Sequence, residues 1–194
     1  VPFVQKQILD AANKKGKISI TATEMLQSMK SSYRPTRAEV TDITNAILEG
    51  SDAVMLSAET SIGDNPNRVV EVMSLICKET DSKNDTSSLL SKENSSEDSI
   101  TTTLARAAVQ VANEIQAKSI VAFTETGRTP LLISNFRPEA EIVTFTTKKK
   151  TLNQMNLLWG VSQHPIERKN TFSEMLKLAN DFLITEKKYN KGDK

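Results

Sequence analysis

The chain has 194 residues, of which 38% are hydrophobic and 25% charged, and its net charge is +1. That balance excludes a strongly basic nucleic-acid surface and a bulk pull toward anionic membranes, so neither partner is expected. Cys77 is the only cysteine, which excludes a disulfide framework; with no signal peptide and no apolar run of about 18 residues, the expected location is cytoplasmic.

The first predicted element is a helix over 2–15, with Pro2 near its start, Gly16 just past its end, and a buried stripe of Val4, Ile8 and Ala11 or Ala12. Ile18, Ile20 and Ala22 then alternate with Ser19, Thr21 and Thr23, the period-2 pattern of a strand. A helix follows whose start is a capping box, Thr36-x-x-Glu39, whose stop is Gly50, and whose apolar face is Val40, Ile43, Ala46 and Ile47. Residues 53–56 (AVML) form a short unbroken apolar run, as expected of a parallel strand covered on both faces. The β-α-β unit so defined crosses over right-handedly into a parallel sheet. Asn65-Pro66 opens another helix, with Val69, Val70, Met73 and Ile76 facing inward and Cys77 in its core pattern.

The stretch 81–98 is polar and serine-rich, which is linker composition, although Leu89 and Leu90 could dock locally. It separates a first domain, 1–80, from a second, 99–194. The second opens with a long helix in which Ile100, Leu104, Ala107 or Ala108, Val111 and Ile115 recur at helical spacing. Strands are predicted over 119–124, 141–147 and 161–166. The helices between them start at Thr129-Pro130, stopping at Arg137-Pro138, and run through Leu152, Met155 and Trp159 to Gly160. A second capping box, Thr171-x-x-Glu174, opens the last helix, which extends through Phe182 and Leu183. Strands alternating with helices make the class α/β, with an open parallel sheet in the second domain.

Loops that follow parallel strands are where this class of fold carries chemistry. Thr23 leaves the first strand and Ser57 the second, followed by Glu24 and Glu59; from spacing alone they are equally readable as turn and cap residues. The loop Thr124-Glu125-Thr126-Gly127-Arg128-Thr129 joins a strand to a helix start. Gly127 permits a tight turn, the hydroxyls and Arg128 supply donors and charge, and the helix end is positive. Residues alone leave two readings open, a phosphate site and an ordinary capped turn. His164 reads as packing or surface, the lysines 148–150 as solvating a loop, and Trp159 as core. Zinc-ligand spacing, GxGxxG and GxxxxGK[ST] are absent from the sequence.

Several strings resemble, in order and spacing, the closing part of the pyruvate kinase barrel: VPFVQKQI at the start, ATEMLQSM (22–29), RPTRAEV (34–40), NAILEG-D (45–52) and MLSAET (55–60). AKSIVAFTETGRTPLLISNFRP, LLWGV and EML extend the resemblance to the family's C-terminal domain, so it covers nearly the whole chain. The implied fold is the last part of a TIM (β/α)8 barrel followed by an open α/β regulatory domain, truncated at both ends relative to the family. Two positions depart from the family pattern: Glu24 stands where Gln is usual, and Glu125 where several members carry Lys.

The resemblance implies phosphoryl transfer from phosphoenolpyruvate to ADP, giving pyruvate and ATP, with Mg2+ and K+ held outside this chain and no metal ligand within it. It implies that Thr23, Ser57 and Glu59 serve the proton-transfer end of the reaction. Arg34, Arg37 and Glu39 match a loop at a subunit interface of a homotetramer, and Thr124, Thr126, Gly127, Arg128 and Thr129 match the grip on a phosphorylated allosteric effector. On this reading the 194 residues alone are inactive. The alternative is a non-catalytic effector-binding and oligomerisation module derived from the same family.

Overall fold

A computed structural model of the chain describes residues 2–22, 24–83, 100–168, 171–187, 189–190 and 192–194. The expected linker from residue 84 on, with Leu89 and Leu90, lies outside the described residues, as does Thr23. The chain divides into two compact units, residues 1–85 and 86–194.

In the first unit, α1 (Pro2–Lys14) leads to the short strand β1 (Ile20–Thr21), which pairs in parallel with β2 (Ala53–Val54). A 3-10 turn (Gln27–Lys30) and α2 (Arg37–Leu48) lie between the strands, and α3 (Ala58–Ser61) and α4 (Pro66–Asp81) follow β2. The capping box forms in both directions: the Thr36 hydroxyl accepts the Glu39 N–H, and the Glu39 carboxylate accepts the Thr36 N–H at 2.8 Å. Gly50 ends α2 with φ +98, a conformation that favours glycine, and a Cβ there would displace the Asn13 amide, 2.6 Å away. Met25, Leu26 and Met29 pack with Ile43 and Ile47 of α2 and with Val69, Val72 and Met73 of α4 to make the core. Cys77 packs at its edge, and burial pushes its thiol up, the opposite of what a nucleophile needs.

Three expected faces differ from those observed. In α1 it is Leu9 that is buried, while Val4 and Ile8 are exposed, because Gln5 and Asn13 bond to Glu49 and to the Gly50 carbonyl and turn that side inward. In α4 the inward set is Val69, Val72, Met73 and Ile76, which holds the i, i+3, i+4, i+7 spacing, and Val70 is exposed. Around β1 the polar side is the internal one: Ser19 bonds Asp52 through both its N–H (2.8 Å) and hydroxyl (3.1 Å), Thr21 bonds Ser51, and Ile18 and Ile20 are exposed. β2 is only half-buried and Met55 beyond it is exposed, so the cover on both faces expected of 53–56 is not found within the unit.

The second unit is a three-stranded parallel sheet in the order β3 (Ser119–Phe123), β4 (Glu141–Thr146), β5 (Val161–Pro165). One face carries α5 (Ile100–Glu114) and α6 (Arg128–Asn135), with Ala105, Val109, Ala122, Leu132, Ile133, Phe136 and Ile142 in contact. The other carries α8 (Phe172–Thr185), with Val143, Phe145 and Ala179 buried and Phe123, Phe182 and Leu183 against them. Even and odd positions of β3 and β4 thus feed different faces, and both are covered. The buried stripe of α5 is Ala105, Val109 and Ala112, not the expected Ile100, Leu104, Val111 and Ile115, all of which are exposed. Small residues let the helix axis approach the sheet closely, and that selects the face. α7 (Lys149–Met155) ends before Trp159, so Leu158 fills the core position while Trp159 stays half-buried beneath the Arg137 guanidinium, 4.9 Å from its ring centre.

Glu39 gives a test of the first unit. Burial pushes its carboxyl up, but the four hydrogen bonds from Ser28 and Thr36 outweigh this and hold it below its ordinary value near 4.5. The folded state therefore binds this proton less tightly, so the contribution is present above that value and is lost as pH falls through the folded-state one. Glu39→Ala should cost about 1–3 kcal/mol at pH 7 by urea denaturation, and the gap to the unsubstituted chain should shrink at pH 3.

Candidate functional site

In the first unit the parallel register sets Ile20 beside Ala53 and Thr21 beside Val54, so the segments leaving β1 and β2 emerge at one edge. Met55 N–H continues the ladder to the Thr21 carbonyl at 2.9 Å. Glu24 leaves this edge with φ +56, a left-handed conformation rare for a side chain that is not glycine or asparagine. Ser57 caps α3 half-buried, and its hydroxyl makes no capping bond.

Glu59 joins the two segments. It is fully buried; Oε2 accepts the Ser57 N–H at 3.0 Å and Oε1 the Leu26 N–H at 3.3 Å. A carboxylate removed from water needs such donors to persist, and here they come from the backbone following each strand. Its chemical capacity in this geometry is to hold the strand-end segments together rather than to reach a ligand. Ser57 is thus brought beside Glu59. Thr23, expected with them, lies outside the described residues.

Glu39 receives the Ser28 N–H and hydroxyl, each at 2.6 Å, and so ties the 3-10 turn to the start of α2. Arg34 and Arg37 stand exposed on the loop and first turn beside it. Ser28 is a residue that sequence reasoning missed. Its only signal was its proximity in sequence to a capping box already recognised.

In the second unit, β3 and β4 run in register from Ser119 opposite Glu141 to Phe123 opposite Phe145. The loop 124–129 therefore meets the end of β4. Gly127 has φ +81, and its N–H donates to the Thr124 hydroxyl at 2.9 Å, closing the turn that starts α6. Thr126 and Arg128 are exposed, and Thr129 is half-buried. Two unpredicted groups reach the loop from the α7 side: Lys148 pairs with Glu125 at 3.1 Å, and the Thr151 hydroxyl donates to the Glu125 carbonyl at 2.9 Å. The hydrogen bond from Lys148 holds the Glu125 carboxyl below its ordinary value, with Thr147 assisting against slight desolvation. Lys148 is thus a partner of the loop rather than a merely solvated lysine. A cavity of about 190 Å³ lies beside it, lined by Phe123, Phe145, Ile166, Met175 and the threonines at the strand ends.

Among the described residues no group of three or more His, Cys, Asp or Glu side chains could hold a metal ion, and no helix is long and apolar enough to cross a membrane. The His164 ring packs against those of Phe182 and Phe145, which also touch each other.

Glu59 provides a test of the strand-end clamp. Glu59→Gln replaces one accepting oxygen with an NH2 that faces a backbone donor, and should destabilise the first unit by about 1–3 kcal/mol. Chemical denaturation followed through the first-unit amide signals would measure it; no loss of stability would remove Glu59 from the clamp.

Two models of the pyruvate kinase family match the chain. The model described as "Pyruvate kinase, barrel domain" matches residues 1–70, and "Pyruvate kinase, alpha/beta domain" matches 102–194. The pyruvate kinase of Lactobacillus delbrueckii subsp. bulgaricus is 38% identical over 188 residues, 93% of this chain and 32% of the relative. That of Geobacillus stearothermophilus is 36% identical over all of this chain and 33% of its own length. The chain thus spans about a third of the length of these curated relatives. A crystal structure of a pyruvate kinase from Cryptosporidium parvum superposes with a TM-score of 0.93 at 36% identity, covering 98% of this chain and 39% of that one. Another, of the Cryptosporidium parvum enzyme in complex with ADP, gives 0.87 over the same shares. With the family's two domains matched in order along one polypeptide and its backbone reproduced across both, the chain belongs to the pyruvate kinase family.

Proposed function

We propose that this chain forms part of an enzyme that transfers the phosphoryl group of phosphoenolpyruvate to ADP, yielding pyruvate and ATP in glycolysis. The observation that carries the reading is the ordered match of both family domains over 1–70 and 102–194. In this proposal 1–80 contributes the closing part of the barrel, 81–98 is a linker, and 99–194 is the regulatory domain of a cytoplasmic homotetramer. Among the described residues no group of three or more His, Cys, Asp or Glu side chains is placed to hold Mg2+. Both ions are assigned to parts of such an enzyme outside this chain, and no step here runs through them. When bound, they would supply the charge neutralisation that phosphoryl transfer requires.

This chain's share is the protonation of enolpyruvate at its methylene carbon. Thr23 and Ser57 are the hydroxyls proposed for the relay. A hydroxyl is too weak an acid to donate alone and must pass a proton from water or a neighbouring acid. Glu59 acts as a positioning residue, since both its oxygens are engaged by backbone N–H groups. Arg34 and Arg37, exposed, are proposed to meet a neighbouring subunit, with Glu39 fixing the turn beneath them. The loop with Thr124, Thr126, Gly127, Arg128 and Thr129 is proposed to hold a phosphate of an allosteric effector, supported by the left-handed Gly127 and the helix start behind it.

A chimera tests the catalytic reading: this chain replaces the matching third of the Geobacillus stearothermophilus enzyme. Phosphoenolpyruvate-dependent ATP formation should survive the exchange, while the 194-residue chain alone should show none. Within an active chimera, Thr23→Val should lower kcat by about 10²–10⁴-fold with KM for phosphoenolpyruvate little changed. Solvent-proton incorporation into pyruvate should suffer most, and normal incorporation would take Thr23 out of the mechanism. A folded chimera without turnover would favour the non-catalytic module.

Titration calorimetry with a sugar bisphosphate tests the loop. Gly127→Val, which puts a β-branched residue at positive φ, should weaken binding together with Thr129→Val and Arg128→Ala. Equal binding by all three variants would exclude the loop as the phosphate grip.

A further inference from the structure

The second unit contains a polar chain that the proposed reaction does not use. Lys187, just past α8, donates to the Ser162 hydroxyl of β5 at 3.2 Å and pairs with Glu141 at the start of β4. Ser162 Oγ in turn lies 2.8 Å from His164 Nε2. The His164 ring sits 4.2 Å, centre to centre, from that of Phe182 on α8 and 5.9 Å from that of Phe145 on β4. This is where α8 meets the sheet, with Ala179 buried and Leu183 packed alongside.

We propose that Lys187, Ser162 and His164 form a pH-sensitive latch that holds α8 on the sheet while His164 is neutral. An ammonium can only donate, so Lys187 occupies one lone pair of the Ser162 oxygen. In the latch the Ser162 proton is assigned to Nε2, so that the neutral ring accepts there and carries its own proton on Nδ1. Protonation at Nε2 turns that acceptor into a donor. Ser162 would then face two cationic donors, ammonium and imidazolium, and its own proton would lose its acceptor.

The charges facing His164 come from two places. The turn after α8 supplies Lys187 and Glu186, β4 supplies Glu141, and β5 (VSQHP) carries no other charged residue. Glu174, Lys177 and Asp181 of α8 lie at exposed positions. Burial against the two rings and the Lys187 charge together outweigh the opposite pull of Glu141 and Glu186, holding His164 below its ordinary 6.5. A base whose proton is bound less tightly in the folded state destabilises that state as pH falls below its ordinary value. Acid thus loosens α8 without releasing it, because the apolar contacts of Ala179, Phe182 and Leu183 do not titrate. Met175 of α8 also lines the cavity beside loop 124–129, so acid reshapes that cavity.

His164 is the only histidine, so its imidazole signal in proton NMR of the full 194-residue chain is unambiguous. Its titration midpoint should lie below 6.5. Ser162→Ala, which removes the donor to the neutral ring, and Lys187→Met, which removes the neighbouring cation, should each raise it. Amide exchange across 172–185, corrected for intrinsic rates, should quicken between pH 7.5 and pH 5.5, and His164→Gln should abolish that dependence. A midpoint at or above 6.5, or one unmoved by both substitutions, overturns the latch, as does pH-independent exchange of α8 in the unsubstituted chain. Should His164→Gln fail to fold, the Ser162→Ala and Lys187→Met titrations decide the question.

Discussion

Parallel pairing is the constraint from which both candidate sites follow. Strands that run the same way deliver the segments after them to one edge, and the register then decides which residues meet there. In the first unit, Thr21 opposite Val54 puts the segment after β1 beside the one after β2, and Glu59 can therefore reach backbone from both. In the second, Phe123 opposite Phe145 brings loop 124–129 to the end of β4, where Lys148 is waiting for Glu125. Neither meeting involves residues close in sequence.

Buried carboxylates do the joining in the first unit. Glu59 at 0% exposure, Asp52 at 9% and the half-buried Glu39 each accept two or more hydrogen bonds, those from Leu26 to Glu59 and from Ser19 to Asp52 spanning 33 residues of chain. A buried, unbonded carboxylate would be expelled or protonated, so each one fixes the geometry of its donors as firmly as an apolar contact would. This explains why β1 turns its polar side inward. Ser19 and Thr21 there meet Asp52 and Ser51, while the neighbouring isoleucines point away.

The parts of the fold legible in the sequence were those encoded locally. Both capping boxes formed in both directions, since four adjacent residues suffice to write one. Gly50 and Gly127 stand at left-handed positions for the same reason. The element order and the family likewise came from strings of adjacent residues. The choice of helix face did not. α5 offers two apolar stripes, and the bulkier one, Ile100 with Leu104 and Val111, is the exposed one. Periodicity identifies that a helix has an apolar side but not which of two sides a sheet will accept, because the answer depends on how closely the axes approach. Lys148 and Ser28 were illegible for a related reason: each matters through a partner set by register or by a turn, not by spacing.

The electrostatics of loop 124–129 narrow what can bind there. Lys148 carries charge to the loop, but its ammonium is already paired with Glu125, a carboxylate on the loop itself. An incoming anion would have to break that pair to use Lys148, and would then face the released carboxylate at short range. The pair is exposed, so it contributes little to holding the fold, yet it cancels the local field that would draw an anion in. The Gly127 N–H is likewise engaged by Thr124, and Pro130 has no N–H to offer. What is left for an anion is Arg128, the Thr126 and Thr129 hydroxyls, and the backbone N–H groups of the first helical turn. In the proposed phosphate grip, that set would act by geometry rather than by bulk charge, with Arg128 the one side chain of the loop that brings an unpaired bidentate donor.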